Sequence, residues 1–444
     1  MKAFIQHLYL NTRLFYLLAV IIGSFMISFM VPALLAATKL GLLLLLALLG
    51  ADIWILYSRK HGMEAQRETP EKLSNGDQNP IWLSLSNYYA FPVSLQIIDE
   101  VPFQFQLRDL EFRVSLGQRE EKRLKYLLRP VKRGEYHFGA LNVYVSTFLG
   151  LARRRYQFSQ AEMVPCYPSY MQMRQYQLLA ISNRLTEMGV KKIRRLGHTT
   201  EFEQVKEYVR GDDYRTVNWK ATARANKLMV NQYIDERSQN VYCLIDKSRA
   251  MKMPFEGLSL LDYAINASLV VANIAINKHD KGGLITFSEK IGTHVPASNR
   301  AIQINRIMEV LYNQKTRYLE ANYSRLYSVV KRQVSQRSLM ILFTNFESVS
   351  AMRRQLSYLQ QLNRMHLLVV IFFENTELQE LLDSHPTKLE DIYIKTIGEN
   401  FAFEKKLIVK ELEQHGIISI LTPPQNLTVN TVNKYLELKS RGMI

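Results

Sequence analysis

From Leu14 to Val31 the chain runs eighteen residues without a charge, and after Pro32 a second apolar run, Ala33 to Tyr57, is broken only by Lys39 near its start and Asp52 near its end. At about 1.5 Å of rise per residue, eighteen positions nearly cross a hydrocarbon core of roughly 30 Å. Residues 1–60 therefore read as a transmembrane helical hairpin. A cleaved signal peptide is the competing reading, but no small-x-small cleavage site precedes a polar mature sequence. Asp52 lies within two turns of the helix end, where it can reach the interface or pair with a neighbour. It reads as tolerated, not functional. Lys2 and Arg13 precede the first span, Arg59, Lys60 and Arg67 follow the second, and only Lys39 lies between. The positive-inside rule then predicts an inner (cytoplasmic) membrane protein whose soluble domains face the cytoplasm.

The pattern changes twice more. Residues 61–80, including EAQRETPEKLSNGDQNP, are polar, turn-rich and aperiodic, and read as a linker. Over 81–168 short alternating runs follow (IWLSLSN, VSLQIID, FQFQLRD, FRVSLG, RLKYLLRP, GEYHFGALNVYVST), punctuated by Asn, Pro and Gly. That period of two predicts an antiparallel β-sandwich. A helix is expected from Met171 to Met188 within a connecting segment, 169–239. From 240 to 444 apolar strands (VYCLIDKS, GGLITFSEKI, SLMILFTN, HLLVVIFF, GIISILT) alternate with amphipathic helices. Such strands are buried on both faces, so the fold class is α/β, with a doubly wound domain at the C-terminal side and ligands expected at the carboxyl ends of its strands.

Between sandwich and α/β domain lies the densest chemistry in the chain, GHTTEFEQVKEYVRGDDYRTVNWKATAR at 197–224. Glu201, Glu207, Asp212 and Asp213 are interleaved with Lys206, Arg210, Arg215, Lys220 and Arg224, and with the aromatics Phe202, Tyr208 and Trp219. Gly211-Asp212-Asp213 marks a turn, because Gly supplies left-handed backbone cheaply and Asp bonds back to its own chain. Arginines can fork onto carboxylates across such a turn. The stretch reads either as a rigid charged clasp or as a docking site. Cations on every side should hold the Glu207 and Asp212 carboxyls low, which suits ion pairing better than proton transfer.

Fifty-seven Lys and Arg against forty Asp and Glu give a formal charge of +17, which calls for an anionic neighbour. A basic KKIRR run at 191–195 raises nucleic acid, yet no helix-turn-helix, zinc-finger or RNA-stacking pattern accompanies it, and a membrane supplies the anionic surface. No nucleic acid is expected. Cys166 and Cys243 cannot build a disulfide framework, and Cys243 sits in an apolar run as a small hydrophobe. Walker A, G-x-G-x-x-G, H-E-x-x-H, G-x-S-x-G and C-x-x-C are all missing, and nine histidines are dispersed. The chain does not read as an enzyme; a hydrolase with its acids in the clasp is the weaker alternative.

The run EF-x4-EYVRGDDYRTVNWKATAR, followed by LMVNQYIDE and a strand ending in Asp246, resembles the signature of the bacterial domain-of-unknown-function 58 family. These are membrane-anchored proteins with a von Willebrand factor A-like domain. The resemblance implies pairing with a MoxR-type AAA+ ATPase, in assembly or maturation of other proteins. The partner contact is expected at Glu201, Tyr208, Gly211, Asp212, Arg215, Trp219, Lys220 and Arg224. The resemblance also implies a Mg²⁺ site built from a D-x-S-x-S loop. Here only Asp246 and Ser248 match; Ala250 replaces the third hydroxyl, and Thr344-Asn345 stands where a hydroxyl followed by Asp is the pattern. Ser324, Thr344, Asn345 and Glu347 are further oxygens for that cation. A lipid- or envelope-polymer-binding scaffold, driven by positive charge, is the other function these features allow.

Overall fold

The computed structural model describes residues 7–107, 110–158, 161–181, 201–209, 212, 214–234, 238–316, 318–376, 378 and 389–444. They fall into two compact units, Met1–Cys166 and Tyr167–Ile444.

The first unit opens with a short strand, β1 (Leu8–Leu10), and two helices, α1 (Thr12–Met30) and α2 (Leu35–Tyr57). Asn11 caps α1 by accepting the Thr12 amide at 2.8 Å. Both helices are long and apolar enough to cross a membrane, and large side chains such as Tyr16, Val20, Phe29 and Leu40 stand bare. A helix of the second unit, Leu260–Asn277, is apolar enough as well, but most of it is buried in a protein core. Lipid is needed to cover the first two and not the third.

Among the described residues eleven strands make the sandwich: after β1 come β2 (Met63–Glu68), β3 (Leu73–Ser74), β4 (Asn79–Asn87), β5 (Val93–Asp99), β6 (Glu111–Leu116), β7 (Glu121–Leu128), β8 (Gly134–Phe138), β9 (Leu141–Ser146), β10 (Ala152–Phe158) and β11 (Glu162–Tyr167). One sheet runs β1-β10-β9-β5-β6, and two others run β2-β4-β7 and β3-β11-β8. Pairing of β5 with β6 and β9, and of β4 with β2 and β7, is antiparallel. Alternate side chains such as Ile81, Leu83 and Leu85 of β4 and Leu95 and Ile97 of β5 meet in one core. Met63–Glu68, read above as linker, is a strand: Met63, Ala65 and Arg67 point inward and Glu64, Gln66 and Glu68 outward. The inward arginine hid its period. Phe103–Phe105, read as strand from its Phe/Gln alternation, is one 3-10 turn closed by Gln106 at φ 55°, with Phe103 exposed.

Arg67 is tolerated inside because its charge is answered. Its Nη1 meets Asp99 Oδ1 at 2.5 Å with both side chains fully buried, and its Nη2 donates to the Gly139 carbonyl at 2.9 Å. Tyr126 donates to the other Asp99 oxygen. Burial first, and then the Asp99 charge, push the Tyr126 phenol far above its ordinary range, so it remains a donor.

The hairpin is joined to the sandwich through Asp52. Its carboxylate is fully buried and accepts from the Thr147 hydroxyl and from the Leu151 and Ala152 amides, both at 2.9 Å. The Asn11 amide donates to the Leu151 carbonyl at 3.0 Å, so both helices grip the same loop between β9 and β10. Leu14 and Leu45 pack on Leu151 beside it. Asp52 thus pairs with neighbours, as its position near the helix end allows.

The second unit comprises α3 (Tyr170–Ile181), β12 (Glu201–Glu207), α4 (Trp219–Ala225), β13 (Met229–Ile234), β14 (Asn240–Asp246), a tiny hairpin β15 (Pro254–Phe255) and β16 (Leu258–Ser259), α5 (Leu260–Asn277), β17 (Lys281–Phe287), β18 (Ile291–Ser298), α6 (Gln303–Tyr312), α7 (Tyr323–Gln333), β19 (Leu339–Phe343), α8 (Val349–Met365), β20 (Leu367–Phe373), α9 (Leu389–Gln414), β21 (Ile418–Thr422) and α10 (Leu427–Ser440). The main sheet runs β18-β17-β14-β19-β20-β21. Five strands are parallel, and only the edge strand β18 is antiparallel to its neighbour. This is the doubly wound arrangement, with helices on both faces. Along β14, Val241, Cys243 and Ile245 enter the core beneath α5 and α10, while Tyr242 and Leu244 enter the one beneath α7, α8 and α9. Burial pushes the Cys243 thiol up to about 12, consistent with an inert packing residue.

Candidate functional site

Two features carry chemistry in the second unit: the β12–β13 hairpin with its short helix, and the loops at the carboxyl ends of the parallel strands.

β12 and β13 pair antiparallel from Glu201 opposite Ile234 to Glu207 opposite Met229, and the Tyr208 amide extends the ladder to the Leu228 carbonyl at 2.8 Å. The turn beyond is held by Asp212. Its Oδ2 accepts the Val209 amide at 3.0 Å, its own amide donates to the Val209 carbonyl at 2.9 Å, and Lys206 pairs with Oδ1 at 3.0 Å. The Val209 amide first, then Lys206, hold the Asp212 carboxyl below its usual value, so a cation is the lesser cause. Asn218 caps α4 through the Ala221 amide at 2.9 Å, and Asn226 ends it in left-handed backbone at φ 52°. The described ion pairs run through lysines, Lys206–Asp212 and the exposed Lys227–Glu207 at 3.4 Å. Gly211, Arg210 and Asp213 lie outside the described residues.

What this scaffold presents is aromatic and basic. Tyr214 is 73% and Trp219 72% exposed, with Val209 and Leu228 also bare. Lys220 and Arg224 stand exposed on α4, and the Arg215 guanidinium lies 5.8 Å from the Tyr214 ring centroid. The sequence placed Trp219 among charges; the structure leaves it uncovered.

At the strand ends, Asp246 is 1% exposed. Its Oδ1 accepts the Ser248 amide and its Oδ2 the Thr344 hydroxyl, both at 2.8 Å. Thr344 spends its one proton on Asp246, so the Tyr323 hydroxyl, 2.7 Å away, donates to Thr344 in turn. Burial raises the Asp246 carboxyl while the Ser248 and Thr344 bonds oppose it, and burial followed by the Asp246 charge pushes the Tyr323 phenol well up. Tyr323 had no sequence signal; Ser324, named as an oxygen source, is exposed in the first turn of α7. Asn345 Oδ1 is engaged elsewhere, accepting from Lys405 of α9 at 2.6 Å.

A von Willebrand A-type metal site needs convergent, uncommitted oxygens. Here one carboxylate is committed to two donors, Ala250 has no hydroxyl and Asn345 faces an ammonium. Among the described residues no group of three His, Cys, Asp or Glu is placed to hold a metal ion. As it stands this donor set does not fit Mg²⁺ at Asp246 and Ser248. Calorimetric titration of the folded protein with Mg²⁺ is therefore expected to give no saturable heat; a saturable signal lost in Asp246→Ala would show that the loop opens to a cation.

Residues 204–399 match the model of the family described as protein of unknown function DUF58. Over that stretch, somewhat under half of the chain, the sequence is similar to that family. A curated relative, the uncharacterized protein YeaD of Bacillus subtilis, is 24% identical over 206 residues, 44% of this chain and 50% of its own length. The chain thus spans about half the length of that relative. Among solved structures, the conserved hypothetical protein BatB of Bacteroides thetaiotaomicron is 12% identical over 46% of this chain and all of its own, with a TM-score of 0.31. The SpRpn10 VWA domain is 13% identical over 43% of this chain and 92% of its own, at 0.26. At such scores these two likenesses bear on no function. The DUF58 match runs from Gln204, inside β12, into α9, so it takes in most of the hairpin and the strand ends at Asp246, Thr344 and Asn345, while Lys405 lies just beyond it.

Lys405 belongs to those features and was invisible in the sequence. Partly buried on α9, it donates to Asn345 Oδ1 and, at 2.5 Å, to the Phe346 carbonyl. Burial draws its amine down to about 8, with Glu347 opposing. A lysine depressed from 10.5 to about 8 binds fewer protons folded than unfolded between those values. Its contribution to stability therefore rises as pH climbs from 8 to 10.5. Chemical unfolding across that window is expected to show this gain in the wild type and not in Lys405→Met; identical slopes would place the ammonium in solvent.

Proposed function

We propose that this protein is a membrane-anchored interaction scaffold whose β12–β13 hairpin docks a protein partner, a MoxR-type AAA+ ATPase, in assembly or maturation of other proteins. The observation that carries this is the uncovered Trp219 and Tyr214 on an element otherwise fixed by caps, a bridge and a strand ladder. Rigid aromatics flanked by arginine are what protein interfaces concentrate at their centres, because they bury large area at small entropic cost. Glu201, Tyr208, Gly211, Asp212, Arg215, Trp219, Lys220 and Arg224 form the proposed contact. A hydrolase reading loses support, since the Asp212 carboxyl is held low where a general acid needs it raised. The scaffold reading also fits the buried Asp52 joint, which fixes a sandwich to a membrane hairpin. Its test is co-expression of the full chain with a MoxR-type ATPase of the same genome. Co-purification through affinity capture in nanodiscs is the expected result, and two proteins that elute apart in every nucleotide state would sink the assignment.

A further inference from the structure

A cavity of about 380 Å³ opens where β19, β20 and β21 end, beside the Asp246 loop. Phe255, Leu260, Phe373, Phe401 and Leu421 supply apolar wall, and Lys405 supplies the amine. Carboxyl ends of parallel strands are where doubly wound sheets take their ligands, and this volume lies within the range of small-molecule pockets.

The amine is the informative group. An ammonium carries three protons, and Lys405 spends two on neutral acceptors, Asn345 Oδ1 and the Phe346 carbonyl, with the Phe372 ring centroid a further neutral neighbour at 5.9 Å. Among the described residues no carboxylate lies within ion-pair distance of it; Glu347 is exposed, and Glu374 also lines the cavity. A partly buried cation with neutral partners and a proton to spare is costly unless something anionic completes it. The two glutamates weigh against multiply charged anions such as phosphates, whose extra charge would meet like charge.

We infer that this cavity is a binding site for an apolar group ending in a single carboxylate, with Lys405 as its anchor and the aromatic wall as its specificity surface. The carboxylate accepts a hydrogen bond from the third Lys405 N–H and favours the charged amine, and the apolar body covers Phe373, Phe401 and Leu421. The site is separate from the β12–β13 hairpin and does not depend on the partner proposed there. A free aliphatic or aryl acid and the C-terminus of an apolar peptide share this chemistry.

The test uses the full chain in lipid nanodiscs, because detergent would compete for the cavity. Calorimetry compares N-acetyl-Leu-Phe with a free carboxylate, the same peptide as its amide, and 4-phenylbutyrate, at pH 7 and pH 10. Saturable binding of at least one acid at pH 7 is expected, about tenfold weaker for the amide and about tenfold weaker for the acid in Lys405→Met, the scale of one lost charge-assisted bond. Binding by the peptide acid alone assigns a chain terminus as the source; binding by phenylbutyrate assigns a small acid. The wild type alone supplies a second check, since its preference for acid over amide should vanish at pH 10, where the amine is neutral. No saturable binding to folded protein, equal binding of acid and amide, or a preference that survives at pH 10 would overturn the inference.

Discussion

Asp52→Ala is expected to cost the first unit at least about 3 kcal/mol, because it leaves the buried Leu151 and Ala152 amides and the Thr147 hydroxyl without their acceptor, at about 1–3 kcal/mol for each buried donor. The loss should be local in origin. Leu14, Leu45 and Leu151 pack beside the joint, so the loop between β9 and β10 should open first. Limited proteolysis in nanodiscs would then cut between Thr147 and Ala152 well before the sandwich core is reached. Asp52→Asn keeps one carbonyl acceptor and should fall between wild type and alanine. If Asp52→Ala matches wild type in both protease resistance and thermal midpoint, the carboxylate is solvated and the joint is held by apolar packing alone.

Breaking the pair inside the sandwich is the second large effect. Arg67→Met leaves Asp99 buried with Tyr126 as its remaining side-chain donor, and stranding one partner of a buried ion pair costs about 3–5 kcal/mol. Removing all three polar groups together, as Arg67→Met with Asp99→Leu and Tyr126→Phe, should recover most of that loss, because no unpaired charge or hydroxyl remains. Urea unfolding of the full chain measures both. A single-variant loss below about 1 kcal/mol would be that of a surface pair, and would contradict the burial of Arg67.

These two sites also mark where the sequence stopped being readable. The membrane hairpin and the strands VYCLID, SLMILF and HLLVVIFF were legible because long apolar runs leave few alternatives. β2 was not, since an inward Arg67 breaks its period and its partner Asp99 lies 32 residues away. β10, with three consecutive arginines, fails for the same reason; Arg154 is spent on the Leu56 and Arg59 carbonyls and on the rings of Tyr57 and Tyr156. Phe103–Phe105 shows the converse error, an alternation without a face to bury. At the strand ends, Asp246 and Ser248 were visible as a local motif. Tyr323 and Lys405 were not, because what places them is the winding of the sheet, which brings Lys405 to Asn345 across 60 residues. The clasp was half legible: a low Asp212 carboxyl was expected from the cations around it, yet its first cause is the Val209 amide, and the exposure of Trp219 depends on what the surrounding fold leaves uncovered.

Exposure of Trp219 is also where the scaffold account can be tested most directly. Trp219→Ala and Arg224→Ala, each in the full chain, would be compared with wild type for thermal midpoint and for affinity to the co-expressed ATPase. Stability should be unchanged to within the roughly 0.5 kcal/mol usual for surface changes, with affinity for the partner lowered at least about tenfold by loss of the tryptophan. A Trp219→Ala protein that unfolds several degrees early while its folded fraction binds as wild type would show instead that the aromatic belongs to a structural clasp.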